Sequence, residues 1–285
     1  MRKILILPNL AKTMALKLTA QLSQALKQRG FEPLLEKRIT ETGDCPTVDL
    51  ERAEVWEELD LVIVLGGDGS MLSAARQIYP HQIPLLGVNL GHLGFLTRLE
   101  SHRTDQALDD LQKGNYQLED RCMLQAEVIR NGSCVKKLFG LNDLVVAKGA
   151  AARLIRLETW IDEEYFTTYP ADGLIVATAT GSTAYSLSAG GPILDPRLGA
   201  MIITPICAHS LYARPLVLSE AARIKVILEA FHPDITLTAD GQTVISLEPG
   251  DTILFTRAAS STRLLKFDHQ GLFEVLKSRL KEGRI

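Results

Sequence analysis

The stretch LVIVLGGDGSMLSAARQ, residues 61–77, runs from an apolar segment through Gly66-Gly67-Asp68-Gly69-Ser70 into residues with helical spacing. A buried strand, a glycine loop and a helix in succession form the repeating unit of a parallel α/β sheet. Such a loop usually turns backbone N–H groups toward phosphate, and the start of the helix favours negative charge. Asp68 runs against that logic, because a carboxylate repels phosphate. The loop lacks the lysine and spacing of G-x-x-x-x-G-K-[ST], so it is not an ordinary P-loop, and it lacks G-x-G-x-x-G, which weakens a dehydrogenase reading. In a bland account Asp68 is the N-cap of a helix that starts near Ser70. In a chemical account it stays ionised, accepts a proton from an attacking hydroxyl, or helps to hold a divalent cation that bridges phosphates.

The flanking segments extend the same alternation. ILIL reads as a first strand, and Met14, Leu18, Leu22 and Leu26 recur every four residues as a buried helix face that Gly30 ends. FEPLL supplies a strand, DLERAEVWEEL a helix, SMLSAARQIY a helix and IPLLGV a further strand; SHRTDQALDDLQKG is a polar helix stopped by Gly114. Beyond it the pattern changes to short alternating segments. Asn131-Gly132 signals a hairpin, LIRLETWIDEEYFTTY reads as two strands turning near Asp162-Glu163, and RIKVILEA, DITLTAD, TVISLE and DTILFTRA are strand-like. GLFEVLKSRLKEG returns to helical spacing. The expected organisation is an α/β domain over 1–115 with a mostly parallel, Rossmann-like sheet that carries the glycine loop. An all-β, sandwich-like domain follows over 116–262, and residues 263–285 form a C-terminal segment whose helix returns to the first domain.

The chain has 285 residues, 46% hydrophobic and 23% charged, which suits a soluble globular enzyme with two cores rather than a disordered chain. Its formal net charge of −3 gives no general attraction to nucleic acid or anionic membranes. Cys45, Cys122, Cys134 and Cys207 are scattered without C-x-x-C spacing, which argues against a disulfide framework or a zinc site and for a reducing cytoplasm. The amino-terminal apolar run is broken by Pro8 and Asn9 before it reaches signal-peptide length. No segment approaches the roughly 18 apolar residues of a membrane span.

Two further stretches carry chemistry. In DGLIVATATGSTAYSLSAGGPILDP, residues 172–196, an apolar strand leads into Thr180-Gly181-Ser182-Thr183. Ala184 to Ala189 can start a helix, which Gly190-Gly191-Pro192 stops. Small residues let a ligand approach the backbone there, and the hydroxyls of Ser182, Thr183, Tyr185 and Ser188 can bond sugar or phosphate oxygens; a capped Ser/Thr turn is the plainer account. In GLNDLVV, Asn142-Asp143 sits at a strand start, where Asx residues favour turns but an amide beside a carboxylate also suits a ribose diol. His92 and His209 read as turn or packing residues, and Trp56 and Trp160 as buried or half-buried ones.

Taken together, GGDGS, GVNLGHLGFLT, LND, DGLIVATATGSTAYSLSAGGPI and ARPLVL, in this order along most of the chain, resemble the NAD kinase family. GGDG alone is shared with diacylglycerol and sphingosine kinases and with phosphofructokinases, whereas the long second motif is similar to NAD kinases only. The resemblance implies an N-terminal α/β domain and a C-terminal β-rich, NAD-binding domain. It implies phosphorylation of the adenosine 2′-hydroxyl of NAD by ATP with a divalent cation, and a homodimer or homotetramer; the sequence shows no dedicated carboxylate cage, so the cation, Mg²⁺, is expected to arrive with the ATP. Carried over by motif, Asp68 is the proton acceptor, and with Gly69 it contacts the nucleotide. Asn142 and Asp143 match the pair that holds NAD. Asp172, Thr183, Ala184, Tyr185, Ser186, Leu187 and Ser188 match further NAD-binding positions, and Arg153 and Gln242 match peripheral contacts. The chain departs from the family pattern in having Asp143 where Glu is commoner, Ala179 where Pro is usual, and Pro170-Ala171 where some relatives place a basic residue.

Two other readings share these residues. A lipid or sugar kinase can be built around the same GGDG loop, although the chain advertises no apolar, membrane-facing entrance. A non-catalytic sensor of pyridine nucleotides would need the binding residues but not the base. In the kinase reading, domain motion about a cleft excludes water, the rival acceptor of the phosphoryl group.

Overall fold

The computed structural model describes residues 2–39, 45–91, 94–150, 153–230, 234–267 and 276–277. It divides into two compact units, one built from the chain up to Asp120 with the stretch from Thr262, the other spanning Arg121–Ser261.

The first unit contains β1 (Lys3–Pro8), α1 (Thr13–Gln28), β2 (Glu32–Glu36), β3 (Thr47–Val48), α2 (Ala53–Glu57), β4 (Leu61–Gly66), α3 (Asp68–Ile78), β5 (Leu85–Asn89), β6 (Leu99–Glu100), α4 (Thr104–Lys113) and β7 (Gln117–Arg121). Its sheet runs β3-β2-β1-β4-β5 and continues through two further strands, with β6 beside β5. The β1, β2, β3, β4, β5 and β6 pairings are all parallel. Every residue of β4 is buried, as its unbroken apolar run requires of a strand covered on both faces. The strand order reverses between β1 and β4, and ligands of open α/β sheets bind beyond the strand ends at such a point. The GGDG loop leaves β4 there, and Asn9, just past β1, bonds to it through Nδ2 on Ser70 Oγ at 3.1 Å.

Several expectations need correction. Met14 is 61% exposed, and the buried stripe of α1 is Ala15, Leu18, Thr19, Leu22, Ser23 and Leu26. A strict four-residue spacing drifts about 40° around the helix per step, so a stripe must mix threes and fours. Helix α3 starts at Asp68 with Gly67 as its N-cap, not near Ser70, so Asp68 does not cap its own helix. Helix α2 is one short turn, and the polar helix before Gly114 opens with a 3₁₀ turn over Ser101–Arg103. The helix read in GLFEVLKSRLKEG lies, apart from 276–277, outside the described residues.

The second unit is antiparallel. It comprises β8 (Leu124–Arg130), β9 (Ser133–Gly140), β10 (Asp143–Lys148), β11 (Ile155–Ile161), β12 (Glu164–Ala171), β13 (Gly173–Thr178), α5 (Tyr185–Ser188), β14 (Ala200–Ile206), β15 (Leu216–Ser219), β16 (Ile224–Glu229), β17 (Ile235–Ala239), β18 (Thr243–Ser246) and β19 (Thr252–Arg257). The chain then re-enters the first unit as β20 (Thr262–Lys266), a strand the sequence reading missed, which stands between β5 and β7. Two six-stranded sheets, β15-β14-β13-β10-β17-β18 and β12-β11-β16-β19-β8-β9, make up the second unit. They share one core, in which Leu144 and Val146 of β10, Leu174 and Val176 of β13, and Phe255 of β19 are all at most 1% exposed. The hairpins turn where the sequence places them: Asn131 and Gly132 have φ of 51° and 77°, and Asp162 and Glu163 have 50° and 67°.

Replacing Phe255, the largest fully buried side chain of that core, by Ala should destabilise the second unit by about 3–5 kcal/mol. Denaturant unfolding followed by Trp160 fluorescence in a Trp56→Phe background reads that unit alone. A loss under about 1 kcal/mol would mean that the core collapses around the cavity.

Candidate functional site

Asp68 is the first residue of α3, and its carboxylate is held by a segment almost thirty residues away. Its Oδ1 accepts the backbone N–H groups of Leu96 and Thr97 at 3.0 Å each and the Thr97 hydroxyl at 3.1 Å, and Oδ2 accepts the Phe95 N–H at 2.8 Å. Four donors fix the carboxylate and leave Oδ2, with its single bond, the oxygen with spare accepting capacity. Gly94 makes the approach possible: a Cβ there would stand 2.0 Å from Asp68 Oδ1 and 2.6 Å from Thr97 Oγ1. Asn89, buried at the end of β5, anchors the same loop by donating Nδ2–H to Thr97 Oγ1 at 2.9 Å and accepting the Gly91 N–H at 2.6 Å. Next in the chain, burial draws the Arg98 guanidinium below its ordinary range, and the Asp68 charge opposes that shift. Gly69 follows Asp68 in the first turn and is exposed. His92 lies outside the described residues.

The second unit holds a cavity of about 380 Å³, lined by Asn142, Asp143, Val145, Ala147, Ala184, Tyr185, Thr238, Asp240 and Gly241. Strand alternation explains the lining. Leu144 and Val146 point to the core between the sheets, so Asp143, Val145 and Ala147 face the other way, and Thr238 pairs with Val145 across β10 and β17. The floor continues into a small apolar cluster of Val145, Ile175, Ala177 and Ile202. The segment after β13 packs onto the start of β10: Gly181 donates its N–H to Thr178 Oγ1 at 3.0 Å, and a Cβ on Gly181 would lie 2.0 Å from the Asn142 carbonyl oxygen.

Asp143 is 4% exposed, and burial first, the charge of Asp240 second, push its carboxyl up to about 7. Asp240, 8% exposed, takes the N–H groups of Leu141, Asn142 and Asp143 on its carboxylate at 3.1, 2.7 and 3.2 Å.

The structure gathers Asn142, Asp143, Ala184 and Tyr185 at the cavity and sets others elsewhere. Ser186 is fully buried and shares a hydrogen bond with Thr204 Oγ1 at 2.8 Å. Thr183 Oγ1 donates to the Thr180 carbonyl at 3.4 Å, Leu187 is half-buried and Ser188 is exposed. Ser182, read as a possible ligand hydroxyl, is fully buried, donates to the Ala179 carbonyl and accepts the Leu194 N–H. Asp172 lies between β12 and β13, paired with Lys148 at 3.4 Å. Gln242 is exposed in the turn after Gly241, and Arg153 is exposed ahead of β11. Sequence reasoning missed Gly94, Thr97, Thr238 and Asp240. The first two lie in GHLGFLT and the last in ADGQ, but a residue that binds backbone from afar leaves no local pattern.

Comparison with known proteins is consistent along the chain. Residues 4–116 match the family described as ATP-NAD kinase N-terminal domain, and residues 141–267 match the ATP-NAD kinase C-terminal domain. The chain is 43% identical over 283 residues to an NAD kinase of Geotalea daltonii, covering 99% of each. It is 44% identical over 258 residues to one of Carboxydothermus hydrogenoformans, covering 90% of this chain and 92% of the relative. The fold is shared with a yeast NADH kinase solved with NADH, at TM-score 0.90 and 24% identity over 99% of this chain and 88% of that one. It is shared also with an Archaeoglobus fulgidus NAD kinase solved with ATP, at TM-score 0.76 and 24% identity over 99% of both.

A Gly94→Ala substitution should destabilise the first unit through its collision with the Asp68 carboxylate. In a double-mutant cycle with Asp68→Ala, thermal unfolding should show a coupling of about 1 kcal/mol or more. Additive effects would mean that the 94–97 loop accepts the methyl without disturbing Asp68.

Proposed function

The chain belongs to the ATP-NAD kinase family, and on that premise we propose that it transfers the terminal phosphoryl group of ATP to the 2′-hydroxyl of the adenosine ribose of NAD, giving NADP. The observation that carries the reading is the seat of Asp68, a carboxylate held by four donors at the end of a central parallel strand with one oxygen still able to accept. In this reading Asp68 Oδ2 takes the proton of the attacking hydroxyl, and the start of α3 with its glycines favours the donor phosphates. The cavity beside Asn142 and Asp143 takes the NAD, with the carboxylate accepting ribose hydroxyls and the amide able to donate. Tyr185 and Ala184 close one side of that cavity, and Gly69, Asp172, Arg153, Gln242 and the residues from Thr183 to Ser188 are assigned to the wider nucleotide contact.

The divalent cation belongs with the ATP as substrate. Among the described residues no group of three His, Cys, Asp or Glu side chains is placed to hold a metal ion, and most of the accepting capacity of Asp68 is already committed to protein donors. Mg²⁺ bridging the donor phosphates would neutralise charge that develops in the transfer. We read the protein as a homodimer or homotetramer, a reading supported by adjacent Leu211 and Tyr212 at 87% and 91% exposed. A cytoplasmic location is supported by four free cysteines, and no helix among the described residues is long and apolar enough to cross a membrane.

The purified protein should convert NAD to NADP with ATP and Mg²⁺, read with an NADP-specific dehydrogenase. Asp68→Asn should cut turnover by about 10²- to 10⁴-fold while NAD binding persists. Near-normal turnover in the variant would remove Asp68 as the base. NAD binding by both proteins without any NADP formed would favour a nucleotide sensor.

A further inference from the structure

We infer that Asp240 is a positioning residue for the Asn142–Asp143 pair, holding the backbone of both and setting a second carboxylate beside Asp143 at the cavity wall. The inference rests on the proposal that this cavity takes NAD. Three main-chain donors converge on the Asp240 carboxylate: Leu141 N–H on Oδ2 at 3.1 Å, and Asn142 and Asp143 N–H on Oδ1 at 2.7 and 3.2 Å. The Asp240 N–H returns a bond to the Asp143 carbonyl at 3.0 Å. Asp240 has φ of 49°, a left-handed conformation that Asp and Asn tolerate better than most residues, and Gly241 beside it has 65°. The neighbouring backbone is shaped to admit it, since a Cβ on Gly140 would lie 2.7 Å from the Asp143 carbonyl oxygen and 3.3 Å from Asp240 Oδ1. These bonds fix where the Asn142 and Asp143 side chains leave the main chain, and both residues line the cavity.

The same arrangement ties ligand capture to pH. Among the described elements around Asp143, β13 and β17 carry no charged residue within their spans, and β10 carries only Lys148, at its far end and paired with Asp172. The β9 lysines are Lys136 and Lys137, the latter paired with Glu127 of β8; Arg130, the other charged residue of β8, pairs with Glu248 and Asp251, Arg121 donates to Thr180 Oγ1 in the segment after β13, and α5 offers only Tyr185 as a titratable group. Asp240 is therefore the charge that opposes ionisation of Asp143, adding to its burial. An ionised Asp143 accepts two ribose hydroxyls, whereas a protonated one has spent an oxygen on its own proton. Raised to about 7, Asp143 gains its binding form as pH rises through neutrality, and NAD affinity should rise with it.

Equilibrium binding of NAD by calorimetry, without ATP so that its phosphates do not titrate, tests this. The wild type should bind more tightly with rising pH, with a midpoint near the value of about 7 set for Asp143. Asp240→Asn should weaken binding about tenfold at the plateau, because its amide opposes the Leu141 N–H, and should move the midpoint down by about one pH unit. Asp143→Asn should bind with no such pH dependence. An unmoved midpoint in Asp240→Asn, or a retained one in Asp143→Asn, overturns the inference. If Asp240→Asn does not fold, Asp240→Glu decides, since the charge stays while its placement changes. Weakened binding at an unchanged midpoint supports positioning, and wild-type affinity refutes it. NADP formation by the same wild-type preparation separates the two readings. NAD binding without turnover counts against the kinase assignment alone, and absence of NAD binding counts against both.

Discussion

Both candidate sites depend on one device, a carboxylate that collects main-chain N–H groups from a segment distant in the chain. Asp68 reaches residues 27 to 29 positions away, and Asp240 reaches residues 97 to 99 positions away. Main-chain donors removed from water need partners, and a charged acceptor makes the stronger bond. Each carboxylate thus fixes the path of a loop or strand start and is itself fixed in return.

This resolves the conflict posed by an acidic residue in a glycine loop. A bare carboxylate at a helix start would compete with phosphate for the same donors. Here Asp68 takes its donors from the 94–97 loop, so it need not compete with a ligand for the first turn of α3. The arrangement demands a residue without a side chain at Gly94, because the carboxylate occupies the space a Cβ would take. The glycines of this region therefore have separate reasons to be glycine, one of them a collision with the carboxylate whose loop it completes.

In the second unit, the two-residue period of β10 divides its work. Leu144 and Val146 enter the core between the sheets, while Asp143, Val145 and Ala147 line the cavity on the opposite face. The 179–194 segment covers part of that face through Ser182 and Ser186, whose hydroxyls are spent on the protein itself. Small residues at Ala147, Ala184 and Gly241 leave space open where a larger residue would fill it. A motif rich in hydroxyls thus proves to be partly scaffold, with Tyr185 and Ala184 the members that reach the cavity.

The sequence by itself determined the α/β succession around LVIVLGGDGS, the hairpins at Asn131-Gly132 and Asp162-Glu163, and the family to which the chain belongs. All of these are written in local spacing, turn chemistry and contiguous motifs. The tertiary structure decided what those patterns leave open. It assigned Asp68 to the 94–97 loop rather than to its own helix cap, turned Ser182 and Ser186 inward, set Met14 off the buried stripe, and brought Asp240 to Asn142 and Asp143. Local periodicity fixes which way a side chain leaves its element, but hydrogen-bond partners drawn from remote segments exist only once the chain has folded.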